Sequence, residues 1–237
     1  MEIDVQKLAN EILNFTKAKS VFLYGSRARG DYLEDSDYEI GVLIEKDKYI
    51  GRSEIKEKFG IKGVSIFPFC YEDFIAGNPD TPFVKSIYLM DVISSGKTLA
   101  GEDVIKNLPL LQITLLDVIQ DVGFNLGYAL AATHSFRNGD NTTATLHFIK
   151  SCLFGTRDYA MFKKQKYSVA YDDIAAEAES LGLGTYSDLP VIANKLRKGE
   201  VALDEKSLFK NISYLNQLIE REASEVYNRE GNVVLIK

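Results

Sequence analysis

The residues best suited to chemistry lie in one short stretch, Gly25 to Glu39. Gly25-Ser26 follows the apolar run Ser20-Val21-Phe22-Leu23-Tyr24, and Asp37-Tyr38-Glu39 opens the next apolar run, with ten residues between Ser26 and Asp37. A glycine there lets the chain turn sharply and approach a ligand without a Cβ in the way. Ser26 would begin a helix, where free N–H groups and a hydroxyl can hold phosphate oxygens. Residues 37 and 39, two apart on a strand, project to the same face. Two neighbouring carboxylates repel unless a cation lies between them, and a hard divalent ion such as Mg2+ is the natural guest. A phosphate cradle beside such an ion is the equipment for phosphoryl or nucleotidyl transfer. The plainer reading is common turn chemistry at Gly-Ser and two acids facing water.

Other candidates are weaker. Asp117 and Asp121 stand at i, i+4 on an otherwise apolar helix, with Asn125 continuing the stripe and Gln120 beside it. Such a stripe faces either solvent, the favoured reading, or an interdomain cleft, where Asp121 would be the candidate general base. Arg27 and Arg29 flank the Gly-Ser turn, as a phosphate contact or as exposed cations. His134 and His147 read as packed or exposed helix residues. Lys150, Arg157, Lys163 and Lys164 read as a solvated helix face.

These residues need elements to position them. Val5, Leu8, Ala9, Ile12 and Thr16 have helical spacing over 4–18, with Asp4 as N-cap. Strands are expected at 20–24, 38–44 and 64–69, with Pro68 suited to an edge or a strand end. A charged loop and helix cover 46–59, and a helix covers 83–92. From about Leu108 the texture changes to long helices at 109–135, 141–165, 171–181, 186–198 and 204–229. The expected fold is α+β: a mixed β-sheet flanked by helices in a domain over 1–105, then an all-α helical bundle over 106–237.

Composition narrows the function. Apolar residues make up 46% of the 237 and charged residues 26%, as in ordinary globular proteins. No apolar run has the ~18–20 residues of a membrane span, and Met1-Glu2-Ile3-Asp4 lacks the pattern of a secretion signal. Cys70 and Cys152 sit in apolar surroundings and read as core residues of a cytoplasmic protein. The net charge of −6 disfavours broad nucleic-acid binding but not a single nucleotide held with metal.

The stretch from Gly25 through Leu43 resembles the signature of the DNA polymerase β-like nucleotidyltransferase superfamily, and Ser36-Asp37-Tyr38-Glu39 is similar to the form found in kanamycin (aminoglycoside) nucleotidyltransferases. The resemblance implies that Gly25 and Ser26, with Arg27 beside them, hold the triphosphate of ATP or another nucleoside triphosphate. It implies that Asp37 and Glu39 are the catalytic acids and bind Mg2+. It also implies a small-molecule acceptor, of an aminoglycoside-like kind, and leaves a homodimer open. Ser65 stands where the family carries a third carboxylate. A protein- or RNA-modifying nucleotidyltransferase is the rival enzyme. The rival from another class is a catalytically weakened nucleotide-binding module, which Ser65 favours.

Overall fold

The computed structural model describes residues 3–34 and 36–237. The chain divides into two compact units, Met1–Leu111 and Gln112–Lys237.

In the first unit, α1 (Val5–Thr16) starts where the Asp4 side chain accepts from the Lys7 N–H at 2.9 Å. This is the N-cap expected of that residue. The helix buries Leu8, Ala9 and Ile12 against one face of a four-stranded sheet. The strands are β1 (Ser20–Tyr24), β2 (Tyr38–Ile44), β3 (Val64–Cys70) and β4 (Lys97–Gly101), in the spatial order β3-β2-β1-β4. β1 runs antiparallel to β2 and β4, whereas β2 and β3 are parallel, so the sheet is mixed. β3 is an edge strand, which is where Pro68 is tolerated.

Alternation sorts the side chains by face. Val21, Leu23, Ile40, Val42, Ile44 and Ile66 join α1 and Ile55 and Phe59 of α3 (Arg52–Phe59). Phe22, Tyr24, Leu43 and Phe69 meet Phe74 of α4 (Tyr71–Ile75) and Leu89 and Val92 of α5 (Lys85–Ser95). Gly41 lies on this second face because the Phe22 ring covers it: a Cβ there would overlap the ring.

The second unit is helical. Its principal elements are α6 (Leu115–Arg137) and α7 (Asn141–Lys164), followed by α8 (Tyr171–Glu177) and α9 (Leu189–Arg197). α10 (Glu205–Ser213) continues through a π-helical stretch, Tyr214–Glu220, into α11 (Arg221–Glu230). The helix expected from residue 109 begins six residues later. Thr114 and Asp117 form a reciprocal capping box at its start, Asp117 accepting from the Thr114 N–H at 2.7 Å. Just before it, the short strand β5 (Ile113–Thr114) pairs with β6 (Val234–Ile236), a two-stranded sheet that the sequence pattern did not show. The Leu115 N–H donates to the Val233 carbonyl at 2.8 Å, and the Leu116 N–H to the Asn232 side chain at 2.9 Å.

Candidate active site

β1 is buried along all five residues and ends at Gly25, whose φ of +72° belongs to the left-handed region. The chain then makes the one-turn helix α2 (Gly25–Arg29), closed by Gly30 at φ +91°. From Gly30 the chain leads on to β2. The antiparallel register sets Tyr24 opposite Glu39, and the parallel register sets Glu39 beside Ser65. Three strands therefore bring Tyr24, Glu39 and Ser65 into one row beside the Gly25 turn.

The contact at that turn is close. A Cβ built on Gly25 would overlap the Glu39 Oε2 atom, so the carboxylate occupies the space that the glycine leaves. Asp37 is the residue just before the first pair of the β2–β3 ladder and is exposed, whereas Glu39 is half-buried. Ser26 is half-buried in the first turn of α2.

Under the row lies an aromatic floor. The Tyr24 and Tyr88 rings meet edge to face at 6.2 Å, and Phe83 stacks on Tyr88 at 5.8 Å. Burial, then the neighbouring Tyr88 phenol and the Glu39 carboxylate, push the Tyr24 hydroxyl well above its usual range. Burial likewise raises that of Tyr88. Both phenols stay protonated at neutral pH and can donate near Glu39.

Two arginines expected at the turn have partners within the same segment. Arg27 donates to the main-chain carbonyls of Ser36 and Glu34, and Arg29 pairs with Asp31 at 3.1 Å.

The donor set can be tested against the implied metal. No group of three or more His, Cys, Asp or Glu gathers as a metal cage among the described residues. Asp37 and Glu39 supply two carboxylates, and Mg2+ is commonly held by one or two carboxylates with substrate phosphates completing its shell. The residues therefore fit Mg2+ brought with a nucleotide. They do not fit a metal held by protein alone.

The middle of the polar stripe on α6 does not face solvent, which corrects the favoured sequence reading for Asp121 and Asn125. Asp117 is spent on the capping box. Asp121 and Asn125 are buried, at 5% and 1% exposure, inside the second unit. The Asn125 side-chain amide donates to Asp158 of α7 at 3.0 Å and to Asp121 at 3.3 Å. The Arg157 guanidinium approaches Asp121 at 3.7 Å. Arg157 thus lies buried between helices rather than on a solvated face, because a buried cation needs the carboxylate beside it. Burial, and then the Asp121 carboxylate, hold Asp158 well above the usual carboxylate range. Cys152 is buried as expected, but Cys70 is half-buried at the end of β3 beside Glu72.

Residues 5–85, which lie within the first unit, match the family model for the nucleotidyltransferase domain, so that unit carries such a domain. Among solved structures, the chain resembles spectinomycin adenyltransferase AAD(9) from Enterococcus faecialis, solved with ATP and spectinomycin. The TM-score is 0.58 at 14% identity, over 90% of this chain and 95% of that one. That likeness is one of fold. A toxin-antitoxin solved with AMP-PNP aligns over 59% of this chain and 98% of its own, at 16% identity and a TM-score of 0.30, too slight to argue from. No curated protein matches the sequence.

Proposed function

We propose that the protein transfers a nucleoside monophosphate from ATP or another nucleoside triphosphate to a hydroxyl of a small-molecule acceptor. The observation that carries this reading is the seating of the Glu39 carboxylate against the backbone of Gly25, with Asp37 two residues before it. Triphosphate held at the Gly25-Ser26 turn would lie directly beside the two acids.

In this reading the Gly25 backbone admits the phosphates closely, and the Ser26 hydroxyl donates to a phosphate oxygen. Asp37 and Glu39 would hold Mg2+, which supplies charge neutralisation for the departing pyrophosphate. The acceptor hydroxyl oxygen attacks the α-phosphorus in line; its bond to phosphorus forms as the bond to pyrophosphate breaks, and the hydroxyl proton is released to water. Ser65, beside Glu39, can accept or donate a hydrogen bond to the acceptor but cannot take its proton at neutral pH. Asp121 is enclosed beside Arg157 and Asn125, and this reading assigns it no base role. An aminoglycoside-like acceptor is favoured by the fold likeness to the spectinomycin enzyme together with the signature at Asp37 and Glu39.

The test is binding of a non-hydrolysable ATP analogue with and without Mg2+, followed by pyrophosphate release over a panel of aminoglycoside and other hydroxylated acceptors. Asp37→Asn should abolish the Mg2+-dependent part of binding and lower turnover by at least ~100-fold, the scale of losing a principal electrostatic group. A variant that keeps wild-type metal dependence would remove Asp37 from the site. Metal-dependent binding without turnover on any acceptor would point instead to a nucleotide-binding module.

A further inference from the structure

Arg27 follows Gly25-Ser26 directly, yet its guanidinium turns to the loop between α2 and β2. Its Nε and Nη2 donate to the Ser36 carbonyl at 3.0 and 2.9 Å, and Nη2 also donates to the Glu34 carbonyl at 3.0 Å. The same group lies 4.1 Å from the centre of the Tyr32 ring and 4.7 Å from that of Tyr38. Tyr32 is 48% exposed, so its ring is held over Arg27 without a core to bury it. The loop is further tied by the Leu33 N–H donating to Ser36 Oγ at 2.9 Å and by the Ser36 N–H donating to the Leu33 carbonyl at 3.0 Å.

Two of the partners of Arg27, the Ser36 carbonyl and the Tyr38 ring, belong to the two neighbours of Asp37. The Ser36 carbonyl belongs to the peptide bond that leads into Asp37, and Tyr38 is the next residue on. We infer that Arg27 is a positioning residue: it holds the backbone carbonyl just before Asp37 and the Tyr38 ring just after it, and so sets the Asp37 carboxylate beside the Gly25 turn. The inference rests on the reading of Asp37 as a site carboxylate. It gives Arg27 a task other than phosphate contact. Only arginine suits it, because the planar fork donates two N–H groups to one carbonyl while presenting flat faces to two rings. A lysine ammonium would keep the charge and lose both.

The experiment uses the full chain with Arg27→Lys and, separately, Tyr32→Ala, which removes one ring and leaves the hydrogen bonds. Hydrogen exchange is read at the Leu33, Ser36 and Tyr38 amides, each hydrogen-bonded in the folded chain. Both variants should exchange faster there by about fivefold or more, with β1, β3 and the second unit unchanged, as expected for loss of a local clamp. In both, the Mg2+ concentration for half-maximal binding of a non-hydrolysable ATP analogue should rise by roughly three- to tenfold. Binding without metal should stay as in the wild type. Unchanged exchange in both variants overturns the clamp. So does a silent Tyr32→Ala beside an Arg27→Lys that weakens nucleotide equally with and without Mg2+, the pattern of a direct phosphate contact. A wild type that binds no nucleotide with Mg2+ would sink the proposed function instead, and the exchange rates would still decide the clamp.

Discussion

Gly25 shows how little room one position leaves. Its positive φ is strained for any residue with a Cβ, and a Cβ there would also displace Glu39. Gly25→Ala should therefore destabilise the fold by about 1–2 kcal/mol from the backbone alone, measured by urea unfolding. It should also remove Mg2+-dependent nucleotide binding, measured by calorimetry. A variant that unfolds earlier but binds normally would separate the glycine from the site. The type and spacing of Gly25, Asp37 and Glu39 were legible because short-range chemistry leaves its mark in adjacent residues. The partners of Arg27 were not. Its position beside the turn suggested phosphate, while the carbonyls that engage it lie seven and nine residues on and carry no signal in their side chains.

Among the elements, register decides what the site lacks. β2 and β3 were readable from their apolar runs, and Ser65 could be placed near the acids, but only the ladder sets it next to Glu39. Ser65→Asp would restore a third carboxylate in that row. Like charges on adjacent strands repel, so the variant without metal should be less stable by up to about 1 kcal/mol. Mg2+ with nucleotide should close the gap, and thermal melts with and without them would show it; equal melting under both conditions would mean that residue 65 does not face the pair. In the second unit the expected helix start followed the change of texture at Leu108, whereas the capping box at Thr114 and Asp117 sets the start of α6 at Leu115. Thr114→Ala should cost roughly 1 kcal/mol, read as a lower urea midpoint. The buried stripe was beyond sequence reasoning, since nothing local says that polar residues on two helices will meet each other instead of water.

At the scale of the whole molecule, the texture change that separated a mixed half from a helical half reflects two separately packed units. Each carries its own electrostatic demand. Asp158 is fully buried and holds its proton more tightly in the folded chain than in the unfolded one, because burial and then Asp121 disfavour its charge. A folded value raised above the ordinary ~3.9 contributes stability that is complete below about pH 4 and is lost as pH climbs through the raised value. The urea midpoint should accordingly fall as pH rises above the ordinary carboxylate range. In Asp158→Asn the fall should be shallower. An unchanged slope would mean that Asp158 is not the group being titrated. In the same series Asp121→Asn should shift stability, through Arg157, and leave nucleotide binding as it was. A selective loss of turnover with binding intact would restore Asp121 as a base.

The pairing of β5 with β6 has a consequence for the order of folding during synthesis. The first two N–H groups of α6 are satisfied by residues 232 and 233, and the side-chain bond to Leu116 spans 116 positions. At roughly 5–20 residues per second, a ribosome leaves the head of α6 without those partners for about 6–23 seconds. Every strand of the larger sheet has by then been made, so that sheet can close while the helical unit still waits for its own tie. Pulse proteolysis of stalled nascent chains should find the first unit protected well before the second, with protection of α6 arriving only once Val234–Ile236 have left the exit tunnel.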